Sequence, residues 1–326
     1  MNVHTIPRIL EYHGDMLADA VRVGAFRRAL DAVIRPGDVV LDLGAGTGIM
    51  SALACRAGAS RVYVIEEGPV MAFAEEVLSV NGFGSRVVAV PGLSTGSQLP
   101  EPVDVIVSET IGVAGFDEGI LGYVIDARRR FARPGRAAPR MIPSGLNLWA
   151  APVTAPIVHG NCVGRWGQDL FDLDLGPLHR RASNHLYIRR FEPEWLAAPG
   201  QELARADLAT VNQTLLQGLA RYSFPRATTV HGFAVWFEAE LAPGITLSNA
   251  PGPFGASANV GEHWSHGFLP VLEPLAIAAG AQLTLEMDVD DGMLWRWSGA
   301  VEPGARFDQC TASGMPSERA ARLPGR

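Results

Sequence analysis

Two glutamates, Glu109 and Glu118, bracket the segment Ser108-Glu109-Thr110-Ile111-Gly112-Val113-Ala114-Gly115-Phe116-Asp117-Glu118. Carboxylates are natural bidentate partners of a planar guanidinium, which offers five donors in a fixed fork. A loop on which both converge can hold such a cation. A second constellation lies upstream, in Asp42-Leu43-Gly44-Ala45-Gly46-Thr47-Gly48, with Glu66 closing the next apolar run. Those glycines allow a tight turn and a close approach of backbone to ligand. An acidic side chain at the end of the following strand can accept hydrogen bonds from both ribose hydroxyls of an adenosine-containing ligand. The spacing is GxGxG, with Ile49 where a third dinucleotide-binding glycine would fall, and this favours S-adenosylmethionine over NAD.

Both motifs need a scaffold that places them at one edge. Val39 to Leu43 reads as a buried strand, Ile49 to Ala57 as a helix stopped by Gly58, Arg61 to Ile65 as a strand, and Pro69 to Val80 as a helix. Arg86 to Val90 and Val103 to Val107 read as further strands, and a helix spans about Glu118 to Phe131. Strands alternating with helices predict a parallel sheet, whose ligands bind beyond the C-terminal ends of its strands. Ahead of it, Met16, Leu17, Val21, Ala25, Phe26, Leu30 and Val33 recur at helical spacing, predicting one amphipathic helix from His13 to Ile34. After Pro143 the texture changes to strand-like runs at Leu146 to Ala150, His185 to Ile188, Thr228 to Glu238, Leu283 to Val289 and Leu294 to Trp297. A boundary near residue 143 and a mostly β second domain over 144–302 are expected, with a partly disordered tail over 303–326.

At 326 residues and 48% hydrophobic content the chain is long enough for about two domains and too apolar to be disordered throughout. Its 27 basic residues are all arginine, against 34 acidic ones. The net charge of -7 gives no global positive field for nucleic acid or an anionic membrane. Cys55, Cys162 and Cys310 form no CxxC spacing, which points to a reducing compartment. No apolar run approaches the roughly 20 residues of a membrane span, and a cytoplasmic protein is expected. His263 and His266 have an HxxH look but no third ligand nearby, so no metal is expected.

The double-glutamate loop resembles that of the protein arginine methyltransferase family, and Glu109 and Glu118 fall on its two glutamates. His13-Gly14-Asp15-Met16-Leu17-Ala18-Asp19-Ala20-Val21-Arg22 resembles the family's helix that closes over the cofactor, and Glu262-His263-Trp264 its Thr-His-Trp loop. The likeness runs, with gaps, from about His13 to Trp297. It implies an α/β architecture: a Rossmann-like class I methyltransferase domain over 1–143, then a β-barrel domain with a dimerisation arm at about 160–195. It implies S-adenosylmethionine as cofactor, with Asp42, Gly44, Gly46, Gly48 and Glu66 around it and Arg22 on its methionine carboxylate. Met16 would lie near the methyl-transfer site, Trp264 near the substrate as a packing residue, and His263 near the glutamates, paired with Asp19. The implied homodimer follows from the arm.

The chain also departs from the family pattern. The aromatic YFxxYxx segment is missing, with Val3 to Arg8 in its place. Thr110, Val113 and Asp117 stand where Trp, Tyr and Tyr are common, and Ser94 where many members have a glutamate facing the adenine. Asp117 and Glu67 match no role and are read as surface charges. These changes point to an altered acceptor, and the likeness to bacterial members of the family that methylate arginine itself implies free L-arginine or a small guanidino metabolite in specialised metabolism. Protein arginine is the alternative, and a non-catalytic S-adenosylmethionine-binding scaffold the third reading.

Overall fold

The computed structural model describes residues 5–135, 138–169, 171–252, 264–290, 292 and 294–315. Two helices, α1 (Thr5–Ala18) and α2 (Ala20–Val33), lead into a parallel sheet built from β1 (Val39–Leu43), β2 (Arg61–Glu66), β3 (Val87–Pro91), β4 (Val105–Ser108) and β5 (Arg140–Ile142). Helices α3 (Ile49–Arg56), α4 (Met71–Val80) and α5 (Ile120–Phe131) form the crossovers. Every residue of β1 is buried, because a central strand of a doubly covered parallel sheet has no solvent face. The strand order β3-β2-β1-β4-β5 reverses beside β1, so the chain ends leaving β1 and β4 diverge around one crevice. The glycine turn follows β1, and Glu109 follows β4.

Two boundaries differ from expectation in ways that bear on the site. The single helix read over His13 to Ile34 begins earlier, at Thr5, and is broken at Asp19. Asp19 leaves helical geometry (φ -70°, ψ 90°) and its Oδ1 accepts the Arg22 backbone N–H at 2.9 Å. An aspartate N-cap satisfies one of a helix's unpaired donors and so starts a new helix. The helix expected from Glu118 starts at Ile120 instead, after Gly119 in a left-handed conformation. Glu118 therefore stands in the loop, not in a helical turn.

The antiparallel part begins with β6 (Gly145–Val153), followed by α6 (Pro156–Cys162), α7 (Gly176–Ala182) and β7 (Tyr187–Arg189). Then come β8 (Gln201–Asp207), β9 (Leu215–Ser223), β10 (Thr228–Ala242), β11 (Ile245–Ser248), β12 (His266–Ile277), β13 (Gln282–Asp290), β14 (Leu294–Glu302), β15 (Arg306–Cys310) and α8 (Thr311–Gly314). One sheet runs β7-β12-β10-β6-β8 with β11 on β10, and the other runs β15-β14-β13-β9. They share an apolar core: Tyr222 of β9 donates its hydroxyl to Ala150 O at 2.8 Å, and Trp297 of β14 donates Nε1–H to Pro270 O at 2.8 Å. Of the tail expected to be partly disordered over 303–326, the described part forms a strand and a short helix as far as residue 315. Phe307 anchors it, since its ring packs 5.5 Å from that of Phe233 while β15 pairs with β14. Among the described residues no helix is long and apolar enough to cross a membrane.

Candidate active site

At the switch point the two motifs are bound to each other. Ser108, the last residue of β4, donates its hydroxyl to Leu43 O at 3.0 Å and lies 3.0 Å from the Thr110 hydroxyl. Gly44 (φ 72°) faces that same threonine, and a Cβ there would fall 2.6 Å from the Thr110 methyl. The glycine turn and the glutamate loop approach this closely only because the turn carries no side chain at Gly44. Glu66 reaches across the turn: its Oε2 accepts the Gly46 N–H at 3.0 Å and its Oε1 the Gly68 N–H at 2.6 Å.

The cleft above these groups is lined by Tyr12, His13, Met16 and Leu17 of α1, by Gly44, Gly46 and Glu66, and by Ser94, Tyr123 and Trp264. Glu109, Glu118 and Arg22 face into the same space. Arg22 is buried; its Nη2 donates to Glu109 Oε2, its Nη1 donates to Met16 O at 3.0 Å, and its guanidinium sits 5.2 Å from the centre of the Trp264 ring. Trp264 packs edge-on to Phe237 at 5.0 Å and donates Nε1–H to Ile111 O at 3.3 Å. It thereby fixes the loop between the glutamates.

Burial raises the proton affinity of both glutamates. The Glu109 carboxyl is pushed up to about 7 by removal from water, which outweighs the opposing pull of Arg22. Glu118 is reached by solvent through the cleft mouth yet enclosed by protein on its other sides. That enclosure, and then the Asp117 carboxylate, also push it up to about 7. Groups poised this way occur preferentially at functional sites.

Several expected residues fall elsewhere. Asp42 and Gly48 stand behind the cleft wall: Asp42 Oδ2 accepts the Ser51 hydroxyl at 2.6 Å, and Gly48 packs against Leu78 and Ala74. Burial holds the Asp42 carboxyl up at about 7, which suits a residue fastening α3 to β1. Asp19 caps α2, and its expected partner His263 lies outside the described residues. His266 is buried, its Nδ1 accepts the Phe191 N–H at 3.0 Å, and burial lowers its pKa to about 4. Asp117, read as a surface charge, turns inward and accepts the N–H groups of Val113 (3.2 Å) and Ala114 (2.8 Å).

The sequence reading missed Tyr12, His13, Tyr123 and Asn249. Tyr12 and His13 precede Met16 by four and three residues, so helical spacing alone places them on its face. Asn249 has no local signal. Its Nδ2 donates to Val113 O (2.8 Å) and Ser265 O (2.7 Å), and its Oδ1 accepts the Phe237 N–H (2.9 Å), bolting the glutamate loop to the antiparallel domain. Asn249→Ala leaves these buried groups unpaired and lowers stability by about 2–3 kcal/mol. Denaturant titration measures that loss, and turnover falls with it as the loop loosens.

Two buried polar atoms of cleft-lining residues, Arg22 Nε and Ser94 Oγ, have no hydrogen-bond partner among the described residues. With the glycine turn and Glu66 they fit an amino-acid nucleoside: a cation donor for a carboxylate and a hydroxyl toward a base. The fold and this cleft define a class I S-adenosylmethionine-dependent methyltransferase.

A family model described as ribosomal protein L11 methyltransferase (PrmA) matches residues 27–113, the parallel-sheet region alone. An arginine N(omega)-methyltransferase of Streptomyces achromogenes subsp. streptozoticus is 32% identical over 88% of this chain and 77% of its own length. Protein arginine N-methyltransferase 6 of Xenopus tropicalis is 30% identical over 83% of this chain and 81% of its own. The chain belongs to the arginine methyltransferase family, whose enzymes use S-adenosylmethionine. Its fold matches the Trypanosoma brucei PRMT1 enzyme-prozyme heterotetramer with AdoHcy at TM-score 0.77, with 24% identity over 92% of this chain and 97% of that one. Protein arginine methyltransferase 10 of Arabidopsis thaliana matches at TM-score 0.73, with 21% identity over 93% and 99%.

Proposed function

We propose that the chain methylates the guanidinium of free L-arginine or another small guanidino compound in specialised metabolism, acting in the cytoplasm as a homodimer. The observation that carries the acceptor chemistry is the convergence of Glu109 and Glu118 on the cleft that holds the glycine turn and Glu66. The small acceptor is favoured by Thr110, Val113 and Asp117, which leave the loop without the aromatic surface that the family resemblance leads one to expect. The likeness to a relative named for arginine itself supports it. Relatives named for protein arginine keep that substrate as the second reading. Dimerisation is supported by exposed Ile157, Phe171 and Leu173 on the excursion between β6 and β7.

S-adenosylmethionine supplies the electrophilic methyl group when bound. The protein's part is positioning and electrostatics. Arg22 would hold a carboxylate of the cofactor while it pairs with Glu109. Glu66 would take the ribose hydroxyls, and Ser94 would lie beside the base. Glu109 and Glu118, ionised, hold the guanidinium and keep its charge away from the attacking nitrogen. Arginine, with a pKa above about 12, enters as a cation, so its proton leaves during or after transfer. His263, outside the described residues, is a candidate acceptor for that proton; an equally good reading makes its expected pairing with Asp19 a structural tie between the two domains.

Mass spectrometry of the protein incubated with S-adenosylmethionine and either free L-arginine or an arginine-rich peptide tests this. Methylarginine from the free amino acid is the expected result. Methylation of the peptide alone overturns the small-acceptor reading, and silence with every guanidino acceptor leaves the scaffold.

A further inference from the structure

Three contacts bolt the first half of the glutamate loop to the rest of the protein. Trp264 holds Ile111 O, Asn249 holds Val113 O, and Gly115 packs against Phe237 and Leu146. Glu118 lies beyond these bolts, in the stretch before Gly119 begins α5. The Asp117 carboxylate crosses that gap by accepting the Val113 and Ala114 N–H groups. It rests on the bare Cα of Gly112, where a Cβ would come within 2.3 Å of its oxygen. No larger residue fits at Gly112 while Asp117 keeps this position.

We infer that Asp117 is a positioning residue for the acceptor site: its carboxylate, folded back on the Gly112–Ala114 backbone, holds Glu118 in the cleft that Glu109 also faces. This rests on the proposed role of the two glutamates as guanidinium ligands. The same carboxylate acts through space. Its negative charge, beside Glu118, disfavours a second ionised carboxyl, while the Arg22 cation on the other side favours it. Burial presses on Asp117 itself, and the Ala114 and Val113 N–H groups oppose that pressure. Asp117 thus fixes where Glu118 stands and shifts the pH at which it ionises. The sequence alone leaves Asp117 a surface charge, because the backbone groups it accepts from come to it only in the folded loop.

Asp117→Ala and Asp117→Asn test the assignment against wild type. Hydrogen–deuterium exchange of the full chain gives a readout independent of turnover. Asp117→Ala speeds exchange at Val113, Ala114 and Glu118, while the β1 and β2 amides keep wild-type protection. With the acceptor that wild type methylates, Asp117→Ala lowers kcat/KM by roughly tenfold to a hundredfold. Affinity for S-adenosylhomocysteine stays within about twofold. Asp117→Asn keeps one acceptor oxygen for Ala114 but loses the charge, so it keeps most of the high-pH rate and moves the acid limb of kcat/KM to lower pH. Unchanged exchange at Val113 and Ala114 in Asp117→Ala overturns the inference. So does an Asp117→Asn pH profile that superimposes on wild type. If wild type methylates no guanidino acceptor, the proposed function fails, and exchange alone still decides whether Asp117 holds this loop.

Discussion

Replacing Glu118 by glutamine lowers kcat/KM for the guanidino acceptor by about 10²–10³-fold, the usual cost of removing a preorganised electrostatic contact to the reacting group. The amide fills the same volume but contributes no negative charge, and its NH₂ presents donors to a cation that has only donors. S-adenosylhomocysteine affinity, measured by calorimetry, stays near wild type because Glu66, Arg22 and the glycine turn are untouched. Stability moves the other way. A carboxyl whose folded pKa, about 7, lies above its unfolded value near 4.5 binds its proton more tightly in the folded state. It therefore opposes folding increasingly as pH rises from about 4.5 to about 7. Glu118→Gln consequently raises Tm at pH 8 and leaves it unchanged at pH 4. Loss of turnover accompanied by loss of Tm at pH 8 would mean that Glu118 serves the fold instead of the acceptor.

Arg22→Ala removes a buried guanidinium that serves two carboxylates in this account, the partner Glu109 in the protein and one on the cofactor. Breaking a buried pair leaves the remaining charge without compensation, so stability falls by about 3 kcal/mol. The Glu109 carboxyl, already pushed up to about 7 in the presence of Arg22, rises further and is neutral at neutral pH. Cofactor affinity drops by roughly 10–100-fold, the worth of a hydrogen bond to a charged group. Arg22→Lys restores charge but lacks the planar fork that reaches Met16 O and Glu109 together, and it recovers only part of either loss. Calorimetry and denaturant titration read both effects. Wild-type cofactor affinity in Arg22→Ala would remove it from the cofactor site.

Four strands of the parallel sheet were legible because each is mostly apolar and each crossover a 3.6-period pattern ended by glycine or proline; the three-residue β5 was too short to show. The antiparallel strands were harder to read for definite reasons. Gln201–Asp207 and Leu215–Ser223 are rich in Leu, Ala, Gln and Arg, which are good helix formers; the first buries residues three apart, Leu203 and Ala206, and the second fills a buried position with the small Ala220. Within β12, Pro270 and Pro274 argue against a strand. The structure accommodates them by a register shift, in which Val230 pairs with Leu275 and Gly232 with Pro270. At the site, the glutamates and Glu66 were readable because each motif is local in sequence, Arg22 came from the family resemblance, and the structure brings all of them to one cleft. Asn249 and the inward turn of Asp117 were not readable, since both depend on backbone groups that only the folded loop brings to them. Asp42 belongs to the glycine motif in sequence but points behind it in space, toward Ser51.

The central claim is that Glu109 and Glu118 bind the guanidinium as ionised carboxylates. Calorimetric titration of L-arginine into the protein loaded with S-adenosylhomocysteine, repeated between pH 5.5 and 8.5 in buffers of different ionisation enthalpy, tests it most directly. With both carboxyls pushed up to about 7 in the free cleft, binding tightens as pH rises through about 7 and releases protons below that point. In Glu118→Gln the affinity falls and the proton release shrinks. Arginine binding that is independent of pH, or unchanged in Glu118→Gln, would contradict the claim.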